Sequence, residues 1–190
     1  MGGMIDHKLF IKENKKVEFS PDTLTRIHAI IQHYPAERKK SALLPVLHIA
    51  QQELEGYLSV DVMDYVASLL EIQPIEVYEV ATFYTMFHLE PTGKYVIEVC
   101  RTGPCALCGG EHILHHLESV LGIKDGETTS DKLFTLKTVE CLGSCGTTPV
   151  MQINTEFYES MTPDKIDRLI DDIRNKGNQQ PVETLWADLF

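Results

Sequence analysis

Cys100, Cys105, Cys141 and Cys145 form a C-x4-C … C-x3-C set of thiols, and glycines lie within or beside both pairs. The first pair lies in Val99-Cys100-Arg101-Thr102-Gly103-Pro104-Cys105, the second in Glu140-Cys141-Leu142-Gly143-Ser144-Cys145-Gly146. Thiolates are soft ligands, and small neighbours let backbone N–H groups approach the sulfurs, which is what an iron–sulfur cluster requires. Three redox readings compete. Two pairs on two loops suit a [2Fe–2S] site. Cys100-x4-Cys105-x2-Cys108 matches the plant-type ferredoxin run, but that pattern needs a single distant partner and would leave Cys141 or Cys145 idle. Cys105-Ala106-Leu107-Cys108 reads as a dithiol motif at a helix start, where the helix dipole lowers a thiol pKa, yet it leaves three cysteines without a task. A four-cysteine zinc site is the structural alternative, since the spacings are compatible with one. A Rieske centre is excluded, because neither cysteine loop contains histidine.

Other side chains carry less. His112, His115 and His116 cluster on a predicted helix, and Cys108, four residues before His112, shares its face if that helix extends back. Solvated or packed histidines are the simpler expectation. No paired carboxylates suggest acid–base work. No G-x-G-x-x-G or Walker sequence cradles a phosphate, so this chain is not expected to bind nucleotide itself. A redox centre without a substrate site implies a partner that has one.

The elements that must hold these thiols change character along the chain. Residues 20–90 read as four helices. Ser20 caps the first, with Pro21 at its first position and Leu24, Ile27, Ile30 and Ile31 at helical spacing, and Pro35 ends it. Ser41 is expected to cap the second, Ser59 opens the third, and Pro74 opens the fourth, which carries Val77, Val80, Ala81, Tyr84 and Phe87. Short connections suggest a small four-helix bundle-like domain. Glu90-Pro91-Thr92-Gly93 marks the boundary to a second domain, 91–175. There Lys94–Val99, Phe134–Val139, Val150–Ile153 and Thr155–Tyr158 read as strands, with helices over Glu111–Leu121 and from Thr162-Pro163 onward. The fold class is α+β, and β-α-β-β-α is the order left of a thioredoxin-like fold. Pro149, just before an apolar strand, stands where such folds often hold a cis proline. Residues 1–19 read as an N-terminal extension and 176–190 as a polar tail with an apolar ending at Leu185, Trp186, Leu189 and Phe190.

Composition narrows the function. The 190 residues carry 28 acidic and 17 basic side chains, a net charge of −11, which argues against nucleic acid as partner. No apolar run approaches the ~18 residues of a spanning helix. The N-terminus shows no signal or transit pattern, and five cysteines make a disulfide framework improbable. A cytoplasmic setting is expected.

Taken together, the segments Val77-Tyr78-Glu79-Val80-Ala81-Thr82-Phe83-Tyr84, Cys100-x-Thr102-x-x-Cys105, Lys132-Leu133-Phe134-Thr135-Leu136, Glu140-Cys141-Leu142-Gly143-x-Cys145 and Pro149-Val150-Met151-Gln152-Ile153-Asn154 resemble the E-subunit family of NADH:quinone oxidoreductase, respiratory complex I. The likeness runs from about Ser20 to Arg174. It implies a helical domain followed by a thioredoxin-like [2Fe–2S] ferredoxin domain, and a cluster bound by Cys100, Cys105, Cys141 and Cys145, with no catalytic residue of the chain's own. It also implies a partner flavoprotein subunit that holds FMN and NADH, other peripheral-arm subunits, and a place on the cytoplasmic face of the inner membrane without insertion. Related subunits serve NAD-linked hydrogenases and formate dehydrogenases. Cys108 and Thr147-Thr148 depart from the family's usual residues without touching an implied ligand.

Overall fold

In a computed structural model of the chain the described residues are 12, 14–54 and 56–176. The apolar ending and most of the N-terminal extension lie outside them. The chain divides between Pro91 and Thr92 into two compact units.

The first unit contains α1 (Pro21–Gln32), α2 (Leu43–Glu53), α3 (Val60–Leu70) and α4 (Pro74–Phe83) around a core that includes Ile27, Leu47, Met63, Leu70 and Val77. Helix starts follow local chemistry. The Thr23 N–H donates to Ser20 Oγ at 3.1 Å, and the Val62 N–H to Ser59 Oγ at 3.3 Å, each satisfying a donor that the first turn leaves unpaired. The start of α2 differs from expectation. Ser41 lies inside a 3-10 segment, Ala36–Ala42, and α2 begins after it, with Pro45 as its third residue. Proline lacks an N–H and is tolerated only in the first turn, so the α-helix can start little earlier.

The end of α4 differs too. The helix stops at Phe83 and Tyr84 is extended, so Tyr84 and Phe87 lie outside it. The following segment is held by Gln51 of α2, whose amide donates to Met86 O at 3.0 Å and accepts from His88 N–H at 2.7 Å. Phe87 is thereby buried, while Phe83, Tyr84 and Met86 remain exposed.

The second unit is built on a mixed sheet of β1 (Tyr95–Cys100), β2 (Phe134–Val139), β3 (Met151–Ile153) and β4 (Glu156–Tyr158), in the spatial order β2-β1-β3-β4. β1 and β2 run parallel, whereas β3 is antiparallel to β1 and to β4. Two-residue alternation sends Ile97, Val99, Leu136, Met151 and Ile153 into one core. Ile113 and Leu117 of α6 (Gly110–Leu121) and Ile166 and Ile170 of α7 (Pro163–Lys176) close it. The Thr148–Pro149 bond is cis, as the sequence suggested. Among the described residues no helix is long and apolar enough to cross a membrane.

Candidate metal centre

Sheet register places the cysteines. Cys100 is the last residue of β1 and pairs with Val139, the last of β2, so the two cysteine loops leave the sheet side by side. Arg101 N–H donates to Val139 O at 3.1 Å, and Cys100 N–H to Val150 O at 3.2 Å, tying the first loop to the second and to the entry of β3. The chain then turns at Gly103 (φ 41°) into a short helix, α5 (Gly103–Leu107), which carries Cys105 and is separate from the helix expected over Glu111–Leu121. α6 begins close against this loop. A Cβ on Gly110 would fall 2.9 Å from Cys105 O and 3.0 Å from Cys100 O, so only glycine fits there.

The thiols form two unlike pairs. Cys100 and Cys105 are buried, packed with Val150 and Leu142, whereas Cys141 and Cys145 are exposed. The Cys141 and Cys145 sulfurs stand 3.8 Å apart. Two thiolates on one tetrahedral metal ion, with bonds of about 2.3 Å, stand about 3.8 Å apart. Among the described residues no group of three or more His, Cys, Asp or Glu side chains is arranged to hold a metal ion.

Backbone donors surround the sulfurs. Gly143 N–H donates to Cys141 Sγ at 3.3 Å from a left-handed turn (φ 83°). For the buried pair the donors are Thr102, Leu142 and Val150. Burial pushes the Cys100 thiol up, but the N–H groups of Thr102 and Leu142, the Thr102 hydroxyl and the Cys105 thiol outweigh it, so Cys100 sits below its ordinary value. Leu142 belongs to the second cysteine loop, so this bond crosses between the loops. Burial holds Cys105 above its ordinary value; Val150 N–H opposes this, and the Cys100 and Cys145 sulfurs add to it. Cys145 is raised by hydrogen bonding and charge from Cys141, then by burial and by Cys100. Thiolates this crowded repel one another, and a cationic centre among them removes that cost. The donor set fits an iron–sulfur cluster.

The remaining candidates stay apart. Cys108 is exposed at the end of α5. His112 and His115 are exposed on α6, and His116 Nε2 meets Asp167 Oδ1 of α7 at 2.7 Å, a link between helices. Gly110 and the contributions of Leu142 and Val150 escaped the sequence reading. A glycine at a predicted helix start was the one available signal.

The family model for the thioredoxin-like [2Fe-2S] ferredoxin matches residues 27–174. The chain belongs to that family. An iron–sulfur cluster is therefore its cofactor. This ferredoxin is 48% identical over 157 residues to the NADH-quinone oxidoreductase E subunit of Rickettsia bellii (strain RML369-C), covering 83% of this chain and 94% of that protein. It is 42% identical over 163 residues to the mitochondrial NADH dehydrogenase [ubiquinone] flavoprotein 2 of Dictyostelium discoideum, covering 86% of this chain and 66% of the relative. Its fold is similar to part of the air-oxidised NAD+-reducing [NiFe]-hydrogenase, with a TM-score of 0.62 and 24% identity. That match covers 73% of the ferredoxin but 24% of the hydrogenase chain, and it is a likeness of fold.

Proposed function

We propose that this ferredoxin is the electron-transfer subunit of an NADH:quinone oxidoreductase, with a [2Fe–2S] cluster held by Cys100, Cys105, Cys141 and Cys145. The observation that carries the reading is the pair of thiol pairs at neighbouring strand ends, on a chain 48% identical over most of both lengths to an E subunit of such an enzyme. The cluster supplies one-electron chemistry. The chain's own residues supply shape: a buried pair that seats one side, an exposed pair facing outward, and N–H groups that stabilise charge on sulfur.

The two electrons of a hydride must be separated before a one-electron centre can take either, so the FMN and the NADH site belong to a flavoprotein partner. The exposed edge at Cys141 and Cys145 is the side from which an electron passes. Leu107, 90% exposed and two residues beyond Cys105, offers the partner an apolar contact. The helical unit, read as bundle-like, supplies docking surface through Phe83, Tyr84 and Met86. Other peripheral-arm subunits complete the assembly on the cytoplasmic face of the inner membrane.

Anaerobic purification tests the cluster. Equal iron and acid-labile sulfide, visible charge-transfer absorption and an EPR signal after dithionite reduction are expected. A colourless protein containing one zinc overturns the reading. Co-purification of a flavoprotein with quinone-reducing companions tests the assembly, and a hydrogenase or formate dehydrogenase in their place would redirect it.

A further inference from the structure

The two thiol pairs are fixed by different means. Cys100 and Cys105 are locked by burial, but Cys141 and Cys145 are exposed and need another restraint. Their loop is held from outside by Glu159, in the segment between β4 and α7. Ser144, between the two cysteines, donates its hydroxyl to Glu159 Oε1. Thr147 Oγ1 donates to the same oxygen at 2.7 Å, and the two hydroxyl oxygens lie 2.8 Å apart. Main-chain bonds run in parallel: Ser160 N–H to Thr147 O at 2.7 Å and Met161 N–H to Pro149 O at 3.0 Å. Lys165 Nζ donates to Ser160 O at 2.9 Å, tying the start of α7 to the same segment. The two hydroxyls favour the ionised carboxylate and hold Glu159 below its ordinary value. Hydrogen bonds to an ionised acceptor are roughly twice as strong as neutral ones.

We propose that Glu159 is the positioning residue for the exposed thiol pair. By accepting from Ser144 and Thr147 on one oxygen, it fixes the loop so that the Cys141 and Cys145 sulfurs stay at the separation one metal ion requires. It thereby slows metal loss from the exposed edge of the cluster. The proposal deepens the ligand assignment given under the proposed function and rests on it.

The experiment compares the full chain with Glu159→Ala, Glu159→Gln, Ser144→Ala and the Ser144→Ala/Glu159→Ala pair. Cluster loss to a ferrous chelator is followed by absorbance, beside the global unfolding midpoint. Glu159→Ala and Ser144→Ala should each lose the cluster roughly tenfold faster, the scale of a lost hydrogen bond to a charged group. The double variant should be no faster than Glu159→Ala, because Ser144 acts through its bond to Glu159, which Glu159→Ala already removes. Glu159→Gln keeps an acceptor oxygen and should restore most of the retention, together with the wild-type EPR line shape. Amide exchange on the metal-free chain gives an independent readout. The Thr147 N–H, bonded to Ser144 O at 3.2 Å, should exchange faster in Glu159→Ala and as in wild type in Glu159→Gln. Wild-type loss and exchange rates in Glu159→Ala overturn the proposal, as does Glu159→Gln behaving like Glu159→Ala. A wild-type chain that takes up no iron counts against the ligand assignment instead, and the exchange rates then decide the role of Glu159.

Discussion

Arg101 and Glu140 face each other across the two cysteine loops, the guanidinium Nη2 2.9 Å from the carboxylate Oε1, each next in sequence to a proposed ligand. The carboxylate keeps the Arg101 guanidinium above its ordinary value. Both side chains are mostly exposed, 62% and 68%, and exposed pairs are screened by salt and weakened by their own entropy. Glu140→Gln should therefore leave the thermal midpoint of the chain unchanged within error. If the midpoint falls and the fall persists in molar salt, the pair holds the loops more firmly than its exposure allows.

Cys108 and Cys141 separate the competing ligand sets. Cys141 belongs to the pair with sulfurs 3.8 Å apart and accepts from Gly143 N–H. Cys108 is exposed beyond the end of α5. Cys108→Ser should keep the visible absorption and the EPR signal of the reduced protein, and Cys141→Ser should lose or strongly distort both. Loss of the signal in Cys108→Ser alone would favour the plant-type run.

Legibility in the sequence followed the range of the interaction. Ser20-Pro21 and Ser59 are local signals, and the helices they open are where the sequence placed them. The alternation in Phe134–Val139 likewise gave β2 its bounds. Ser41 misled because a cap signal was outweighed by Pro45 a few residues on. Phe87 kept helical spacing but left the helix, because Gln51, far away in sequence, captures the backbone at Met86 and His88. At the site, residue type and spacing favour two-plus-two cysteines over a triplet, the choice that the Cys108→Ser variant decides. Glu159 could not be found this way, since it stands far from Cys145 in sequence and acts through hydroxyls rather than a recognisable ligand type.

Gly110 offers a packing test near the centre. An added Cβ would meet two backbone carbonyl oxygens, those of Cys105 and Cys100, at 2.9 and 3.0 Å. Backbone gives way less readily than a flexible side-chain end, so α6 or the cysteine loop must shift. Gly110→Ala should cost about 1–3 kcal/mol, the usual scale of overpacking, and should speed cluster loss. Urea unfolding gives the first quantity and chelator kinetics the second. An unchanged midpoint with unchanged cluster retention would show that α6 can move away freely.

His48 places a pH dependence in the helical unit. It lies on α2, 8% exposed, with its ring centroid 5.0 Å from that of Phe87. Burial lowers its pKa from the ordinary 6.5. The folded state therefore resists a proton that the unfolded chain accepts, and linkage fixes the sign. The stability tied to neutral His48 is present above pH 6.5 and is lost as pH falls through that value toward the lower folded one. The urea midpoint followed by far-UV circular dichroism should thus drop between pH 7.5 and 5.5. His48→Gln, which cannot titrate, should reduce that drop whatever it does to the midpoint at pH 7.5. An undiminished drop in His48→Gln would assign the pH dependence to other groups.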